Sequence, residues 1–277
     1  MKQLFTFFIS YLLLCLPARV HAAKHIIKYK LTEAQYQQTF DSLSGKGFIP
    51  IDMDITTLKG KPYFAIIWEE DVQQTAWQAR HNLTEAEYNE TSTSLTKEGY
   101  MIQNLVPYYT EQKELRFAAL WYKKEGQAFF ARYNLTEDEY VAIMDEQHEK
   151  GIYPFRITVY EHEGVHKFAV VWGEIGKVVN GYRNFLEPEE CKEAITWMFN
   201  NGYYIMDLAA YTKAGKTYYS GFWLKLPMIS RTKPRLSLEE LHKTIENYTT
   251  HNYTPYIITG FTENDVLYYG ATWDPQR

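Results

Sequence analysis

Cysteine is scarce in this chain, which has only two among its 277 residues. Cys15 lies in the first 22 residues, so Cys191 alone remains if that segment is a cleaved leader. An internal disulfide is then excluded, and stability has to come from packing. Cys191 occupies an apolar position of a helix-start phrase that recurs along the chain, which predicts a buried thiol.

Basic residues and long apolar runs are also in short supply. Without Lys2 and Arg19 of the leader, 27 of the 29 basic residues remain against 34 acidic ones, a net charge of −7. This balance argues against a nucleic-acid partner. Beyond the leader no run approaches the roughly 18 apolar residues of a transmembrane helix, which argues against a membrane span.

The leader itself has the composition of a secretory signal peptide. Residues 1–22 combine Lys2, an apolar stretch from Leu4 to Leu16, a helix-breaking proline and the small-residue ending VHA. We therefore expect a secreted or periplasmic protein without a membrane anchor, whose mature chain is a single repeat domain over residues 23–277.

A repeat fills the mature chain. The phrase LTEAQY returns as LTEAEY, LTEDEY, LEPEEC and LSLEEL, with starts 52, 52, 51 and 50 residues apart. A glycine or asparagine stands 16 residues after each initial leucine, and a tryptophan stands 37 or 38 residues after it. The leucines are Leu31, Leu83, Leu135, Leu186 and Leu236, the closing residues Gly47, Gly99, Gly151, Gly202 and Asn252, and the tryptophans Trp68, Trp121, Trp172, Trp223 and Trp273. Five tandem copies of about 51 residues are predicted.

The leucine phrase predicts a helix start. A threonine or serine is followed three residues later by glutamine or glutamate, which is a capping box, and flanking apolar residues form a hydrophobic staple. In the fourth copy Pro188 supplies an equivalent start. Asn82 and Asn134 also open glycosylation sequons at this point, but asparagine recurs in two copies whereas the helix start recurs in all five. The capping interpretation is therefore favoured.

Each unit is predicted to contain a helix, a strand, a turn and two further strands, because β-branched and aromatic runs follow every closing residue. The fold class is then α+β, with units at about 31–82, 83–134, 135–185, 186–235 and 236–277, and with residues 24–30 completing the last unit. An amino-terminal strand often completes the last blade of a closed β-ring, so we predict a propeller-like toroid. An open solenoid is the alternative.

The combination RHNLTEAEY, KGIYPFRITVY and HKFAVVW resembles the bacterial tandem repeat modules that are also found in the amino-terminal part of fungal polyglycine hydrolases. The resemblance covers the whole mature chain. In that family the repeats are commonly joined to a serine hydrolase domain with an SxxK motif, and no such domain is present here. The resemblance therefore implies a non-catalytic accessory or recognition module.

The phrase HEGVH, from His162 to His166, spells the HExxH motif of zinc metalloproteases. That chemistry needs both histidines on one face of a helix beside a glutamate base. Alignment of the copies places the phrase at a hairpin turn, with Gly164 at the turn position. We therefore expect a polar turn, and His162 and His166 remain the metal-ligand candidates of an alternative zinc hydrolase.

Two SxxK pairs, Ser94 with Lys97 and Ser230 with Lys233, match the pattern in which a lysine activates a serine nucleophile. Ser94 falls in the last part of a helix, Ser230 falls in a linker, and neither has a KTG companion. We predict a solvated helix face and a loop, and no catalytic residue is assigned.

A basic residue precedes each unit leucine by three positions: Lys28, Arg80, Arg132, Arg183 and Lys233. These five cations either pair with carboxylates inside their own units or form a rim that binds an anionic ligand. They are the candidate binding residues. The repeated tryptophans are predicted to be core, because every unit needs the same core, whereas a ligand touches the units unequally.

The favoured function is an exported, non-catalytic repeat protein that binds a protein, peptide or glycan, or serves as accessory module to a separate hydrolase. We expect no cofactor, no nucleic acid and no membrane span. The alternative function is a hydrolase that uses the HEGVH histidines with zinc or an SxxK serine.

Overall fold

The computed structural model describes residues 23–123, 129–174, 176 and 178–275, and the predicted leader, residues 1–22, lies outside this part. Unit 1 contains β1 (His25–Leu31), α1 (Glu33–Ser44), β2 (Phe48–Leu58) and β3 (Lys61–Glu70), and unit 2 contains β4 (Trp77–Leu83), α2 (Glu85–Lys97), β5 (Tyr100–Tyr109) and β6 (Leu115–Lys123). Unit 3 contains β7 (Phe129–Leu135), α3 (Glu137–His148), β8 (Ile152–His162) and β9 (Val165–Glu174), and unit 4 contains β10 (Asn180–Leu186), α4 (Pro188–Asn200), β11 (Tyr203–Lys213) and β12 (Lys216–Lys225). Unit 5 contains β13 (Arg231–Leu236), α5 (Leu238–Thr250), β14 (Tyr253–Glu263) and β15 (Val266–Pro275). None of the described helices is long and apolar enough to cross a bilayer.

Each unit forms its own three-stranded antiparallel sheet. The third strand, which carries the tryptophan, lies in the middle, so that unit 1 has the order β1-β3-β2 and the other units repeat it. The first strands (β1, β4, β7, β10 and β13) and the second strands (β2, β5, β8, β11 and β14) are the two edges of the sheets. The predicted α+β fold of five tandem units is confirmed.

The predicted phase of the units is wrong by one strand. The sequence predicts that residues 24–30 complete the last unit, but β1 pairs with β3 of the first unit and places Ile26 opposite Trp68. Leu31 ends this strand opposite Phe64 and the helix begins at Glu33, so no loop is available to carry the strand to another sheet. Each of the five first strands therefore belongs to the same unit as the helix that follows it. The units span 25–70, 77–123, 129–174, 180–225 and 231–275.

The predicted helix starts are confirmed. Thr32, Thr84, Thr136 and Ser237 each accept from the backbone N–H three residues later, and the side chain at that later position accepts from the cap N–H. In α4, Pro188 takes the first helical position and the Glu190 carboxylate accepts from the Glu187 N–H at 2.8 Å. The predicted closing residues, Gly47, Gly99, Gly151, Gly202 and Asn252, all have a left-handed φ between 59° and 85°.

A backbone requirement accounts for the two sequon asparagines. Asn82 and Asn134 have a φ of 58° at a β-bulge near the end of the first strand, just before the helix. Their N–H groups donate to the hydroxyls of Tyr108 and Tyr160, each at 3.1 Å. Asparagine tolerates the left-handed conformation better than most residues, because its short polar side chain can bond locally. The backbone conformation at the bulge therefore accounts for the asparagines at these two positions, and glycosylation is not needed to explain them.

The predicted core is confirmed at its largest residues. The five repeat tryptophans are at most 2 % exposed, and Cys191 is fully buried. Burial also raises the pKa of the Cys191 thiol to about 12, so the thiol stays protonated at neutral pH. This apolar environment matches the predicted buried thiol.

Each unit shares its core with the next unit. The cluster around Tyr36 of unit 1 includes Val106 and Ala118 of unit 2, and the corresponding clusters join units 2 and 3, 3 and 4, and 4 and 5. The cluster of unit 5 includes Ala65 and Ile67 of unit 1. The last unit thus packs against the first in the same manner as the other units pack against their successors.

Candidate functional site

The second strands of all five units line one cavity of about 640 Å³. Its walls comprise residues 54–57, 107–109, 157–161, 209–212 and 259–262, and Lys113, Glu163 and His166 join them from the hairpins. We call this space the shared cavity. Its volume falls in the range of small-ligand and peptide sites, roughly 300–1,000 Å³.

A β-bulge in each second strand sets the chemistry at the base of this cavity. The register between second and third strand shifts by one residue in every unit, after Pro50, Ile102, Pro154, Ile205 and Pro255. The first paired residue after the bulge is Asp52, Asn104, Arg156, Asp207 or Ile257. Four of the five are polar although the strands around them are apolar. Bulges commonly redirect a side chain at functional sites.

The carboxylates at these positions bind the edge of the preceding unit. A second strand is a sheet edge, so some of its N–H groups lack a partner within the sheet. Asp207 of unit 4 accepts from the Ile157 N–H of unit 3 at 2.6 Å. Asp52 of unit 1 accepts in the same way from the Ile258 N–H of unit 5 at 2.8 Å. Both donors are the residue after the bulge position, so the two junctions are equivalent.

A second pair of bonds lies two residues further along the strands. Thr259 of unit 5 accepts from the Ala210 N–H of unit 4 at 3.2 Å. Asp54 of unit 1 accepts from the Gly260 N–H of unit 5 at 2.5 Å. The donor and acceptor positions again correspond. At the junctions of units 4 and 5 and of units 5 and 1, side chains therefore accept the hydrogen bonds that a neighbouring strand would accept in a continuous sheet.

Arg156 of unit 3 joins these carboxylates. Its Nε lies 2.9 Å from Asp52 Oδ1 and its Nη1 lies 3.9 Å from Asp207 Oδ1. Asn104 Nδ2 donates to the same Asp52 oxygen at 3.0 Å and to the carbonyl of Met53 at 2.9 Å. One guanidinium therefore serves two buried carboxylates from different units.

Burial dominates the electrostatics of this cluster. It raises the pKa of Asp207 to about 7 against the opposing effect of Arg156, and it raises the pKa of Asp54 to about 6. The pKa of Asp52 is raised for the same reason. Burial also disfavours the charged form of Arg156, but Asp52 and Asp207 outweigh this and its pKa lies above the usual value. The negative charge of the cluster is incompletely compensated.

These shifts predict that stability falls as the pH rises. A carboxyl whose folded pKa lies above its unfolded value of 3.8 stabilises the fold below that value and loses this contribution as the pH rises through the folded pKa. For Asp54 and Asp207 the loss should fall between about pH 4 and pH 7. We expect guanidinium unfolding to give a smaller decline over this window for Asp207→Asn than for the wild type. An equal decline in both proteins would contradict the assignment.

The five predicted cations lie on the first strands, away from the shared cavity. Lys28, Arg80, Arg132, Arg183 and Lys233 are all exposed and each sits at the same register position of its strand. The three guanidinium groups donate to the carbonyl of the preceding residue. Lys233 also lines a separate pocket of about 220 Å³ near α4 and α5. The structure gives them equivalent positions, and their role in binding stays a prediction.

The HEGVH phrase forms a hairpin, as the repeat alignment predicts. His162 ends β8, and its Nδ1 lies 2.6 Å from the Tyr109 hydroxyl. His166 lies in β9, and its Nε2 lies 2.8 Å from the carbonyl oxygen of Thr212. The two imidazoles therefore bond to different neighbouring units. Among the described residues no group of three or more potential ligands could hold a metal ion.

The two SxxK pairs lie where the sequence places them. Ser94 is near the end of α2 and its hydroxyl donates to Glu98 at 3.3 Å. Ser230 precedes β13, and Lys233 is exposed on that strand. The helix face and the loop are confirmed.

The sequence interpretation missed the buried cluster. Its signal was available, because Asp52, Asn104, Arg156 and Asp207 occupy one column of the aligned units, inside otherwise apolar runs such as GFIPIDMDI and GIYPFRITVY. A polar residue in the middle of a buried strand has to find partners. The partners themselves lie up to 206 residues away, which no local pattern reveals.

Comparison with known proteins supports the repeat. A family model described as a polyglycine hydrolase-like structural repeat matches residues 27–71, 74–124, 126–175 and 186–226. Each match begins before a helix and ends after a tryptophan strand; the second and third also include the whole first strand of their units, whereas the fourth begins at the last residue of β10. No curated protein matches the chain significantly.

Proposed function

Because the chain belongs to the family of polyglycine hydrolase-like structural repeats, we propose that it is an exported, non-catalytic binding protein whose five units close into a ring around the shared cavity. It acts as a recognition module, either alone or as the accessory partner of a separate hydrolase. The export proposal rests on the signal-like composition of residues 1–22.

The junction between unit 5 and unit 1 supports closure. The bond from the Ile258 N–H to Asp52 has the same donor and acceptor positions as the bond from Ile157 to Asp207 inside the chain. The apolar cluster at this junction likewise repeats the clusters of the internal junctions. An open solenoid has no reason to reproduce an internal interface between its two ends.

The lining of the shared cavity supports binding, and it is the single observation that carries the proposal. All five units contribute, but with different side chains at equivalent positions: where unit 1 has Thr57, the others have Tyr109, Glu161, Thr212 and Thr262. Six threonines line its walls together with the charged residues Lys113, Glu161 and Glu163, which suits a peptide or a glycan better than a wholly apolar ligand. The mature chain should therefore bind such a ligand inside the cavity.

Filling the cavity tests this proposal. We expect Thr158→Trp to weaken binding of any peptide or oligosaccharide found by screening the mature protein, by at least about tenfold, because the indole occupies the ligand volume. The matched control is the double variant Arg80→Ala with Arg132→Ala, which alters the exposed first strands. Calorimetric titration should show unchanged affinity for the control. If the control loses binding while Thr158→Trp retains it, the ligand site is the cationic rim and the cavity proposal is wrong.

A further inference from the structure

A smaller pocket continues the shared cavity at its base. It has a volume of about 20 Å³ and shares Asp54, Ile157, Thr158 and Thr259 with the cavity. The buried cluster, with Asp52, Asn104, Arg156 and Asp207, completes its walls. We call it the terminal pocket. A volume of this size admits one group as large as a water molecule.

The charges around the terminal pocket do not balance. Three carboxylates, those of Asp52, Asp54 and Asp207, face one guanidinium. Arg156 is engaged by Asp52 and Asp207. Asp54 accepts from the N–H groups of Ile55 at 2.9 Å and Gly260 at 2.5 Å and shares a side-chain hydrogen bond with Thr259, but none of the ion pairs among the described residues involves it. A carboxylate in such a position lacks a cation.

An unused acceptor lies in the same pocket. Asn104 is 2 % exposed, and both bonds of its amide are made by Nδ2, to Asp52 and to Met53. Its Oδ1 is buried and has no donor among the described residues. A buried acceptor without a donor costs about 1–3 kcal/mol. The guest that suits this pocket therefore donates hydrogen bonds and carries positive charge.

We propose that the terminal pocket binds a primary ammonium group, and that the alkyl chain of the same ligand lies in the shared cavity. This inference rests on the proposed function. A planar guanidinium is too large for about 20 Å³, whereas –NH₃⁺ has the size of a water molecule. Val159, Ala209 and Phe261 provide apolar contacts for a methylene stem. A lysine side chain, a peptide amino terminus and a polyamine all offer this chemistry.

Four probes on the full mature chain separate these sources. They are acetyl-GGKGG-amide, the same peptide with Nε-acetyl-lysine, the peptide GGGGG-amide with a free amino terminus, and spermidine. We expect the lysine peptide to bind at least about tenfold more tightly than its Nε-acetyl form, because acetylation removes the charge. The amide resonance of Gly260 should shift during titration, since this N–H donates to Asp54.

Asp54→Asn is the test variant, because asparagine keeps an acceptor for the Gly260 N–H and loses the charge. We expect at least about a tenfold loss of affinity for the amine that binds best. Glu90→Gln makes the same change of charge on the exposed surface of α2 and should change affinity by less than about twofold. The wild-type comparison of lysine with Nε-acetyl-lysine does not depend on how the variants fold.

Each outcome decides between the two proposals. Tighter binding of any amine, with the Gly260 shift and the loss in Asp54→Asn, supports the ammonium site, and the strongest probe identifies the source. If ligands found by screening still bind in the cavity but no amine shifts Gly260, the ammonium inference is wrong and the proposed function stands. If no ligand of either kind perturbs cavity residues, both are wrong.

Discussion

Replacing Arg156 with methionine is expected to lower the free energy of unfolding by about 3–5 kcal/mol at pH 8. Methionine fills a similar volume but leaves Asp52 and Asp207 buried without their cation. Both carboxylates are less than 5 % exposed, so water cannot take over the role of the guanidinium. Chemical denaturation of the mature chain, followed by tryptophan fluorescence, measures the loss.

A surface ion pair provides the control for this variant. Arg116 lies 2.8 Å from Glu114, whose side chain is 54 % exposed, so Arg116→Met should cost less than about 1 kcal/mol. The deficit of Arg156→Met should also shrink at pH 5, because Asp207, whose pKa is raised to about 7, can take up a proton and become neutral. A loss below about 1 kcal/mol at pH 8, or the same loss at both pH values, would contradict a charge cluster that depends on Arg156.

Replacing Gly260 with alanine is expected to cost about 2 kcal/mol, because the new methyl group would overlap the hydroxyl oxygen of Thr56 and approach Tyr269 Cε1 to 3.2 Å. Gly260 belongs to unit 5 and Thr56 to unit 1, so the clash falls at the junction between the last unit and the first. The φ of Gly260 lies outside the left-handed region, and alanine is not strained for backbone reasons. The free energy of unfolding is again the measured quantity.

A double-mutant cycle isolates the junction from other effects of the substitution. Thr56→Ala removes the hydroxyl, so Gly260→Ala should cost at least about 1 kcal/mol less in that background than in the wild type. Coupling between residues 204 positions apart requires that they touch. Additive effects of the two substitutions would mean that unit 5 does not pack on unit 1 in solution.

Local features of the repeat could be predicted from the sequence. A capping box is complete within four residues. Thr84 and Glu87 therefore predict the start of α2 from the local sequence alone, whatever the helix packs against. The helix-closing residues have a left-handed φ, and the constant spacing of the tryptophans reflects a core that every unit needs. For the same reason the alignment placed HEGVH in a hairpin, where a general motif search suggests a helix.

Pairing between segments could not be predicted in the same way. The strand His25–Leu31 follows no tryptophan strand, and the sequence leaves open whether it joins the first unit or the last. The structure settles this through the short connection to α1, which keeps the strand in the first sheet. The predicted toroid thus drew on treating this strand as surplus to the first unit, whereas it is that unit's own edge strand, and the proposed closure rests instead on the contacts of Asp52 and Asp54 with unit 5.

The candidate site illustrates the same limit. The exposed cations repeat in every unit and are conspicuous in the sequence, but equivalence between units is what a scaffold requires. The buried cluster differs from unit to unit, and its partners come together only when strands 104 and 206 residues apart become neighbours. A comparison of equivalent positions in the five aligned units, made to find the position whose side chain changes from acidic to basic, would have found Asp52 and Arg156.

Hydrogen exchange at the amides of Ile258 and Gly260 tests the central claim most directly. In a closed ring these N–H groups donate to Asp52 and Asp54, so they should exchange as slowly as Ile157 and Ala210, their counterparts at the internal junctions. We predict protection factors within about tenfold of those counterparts. If Ile258 and Gly260 exchange like unprotected amides while Ile157 and Ala210 remain protected, the last unit has a free edge and the chain is an open array.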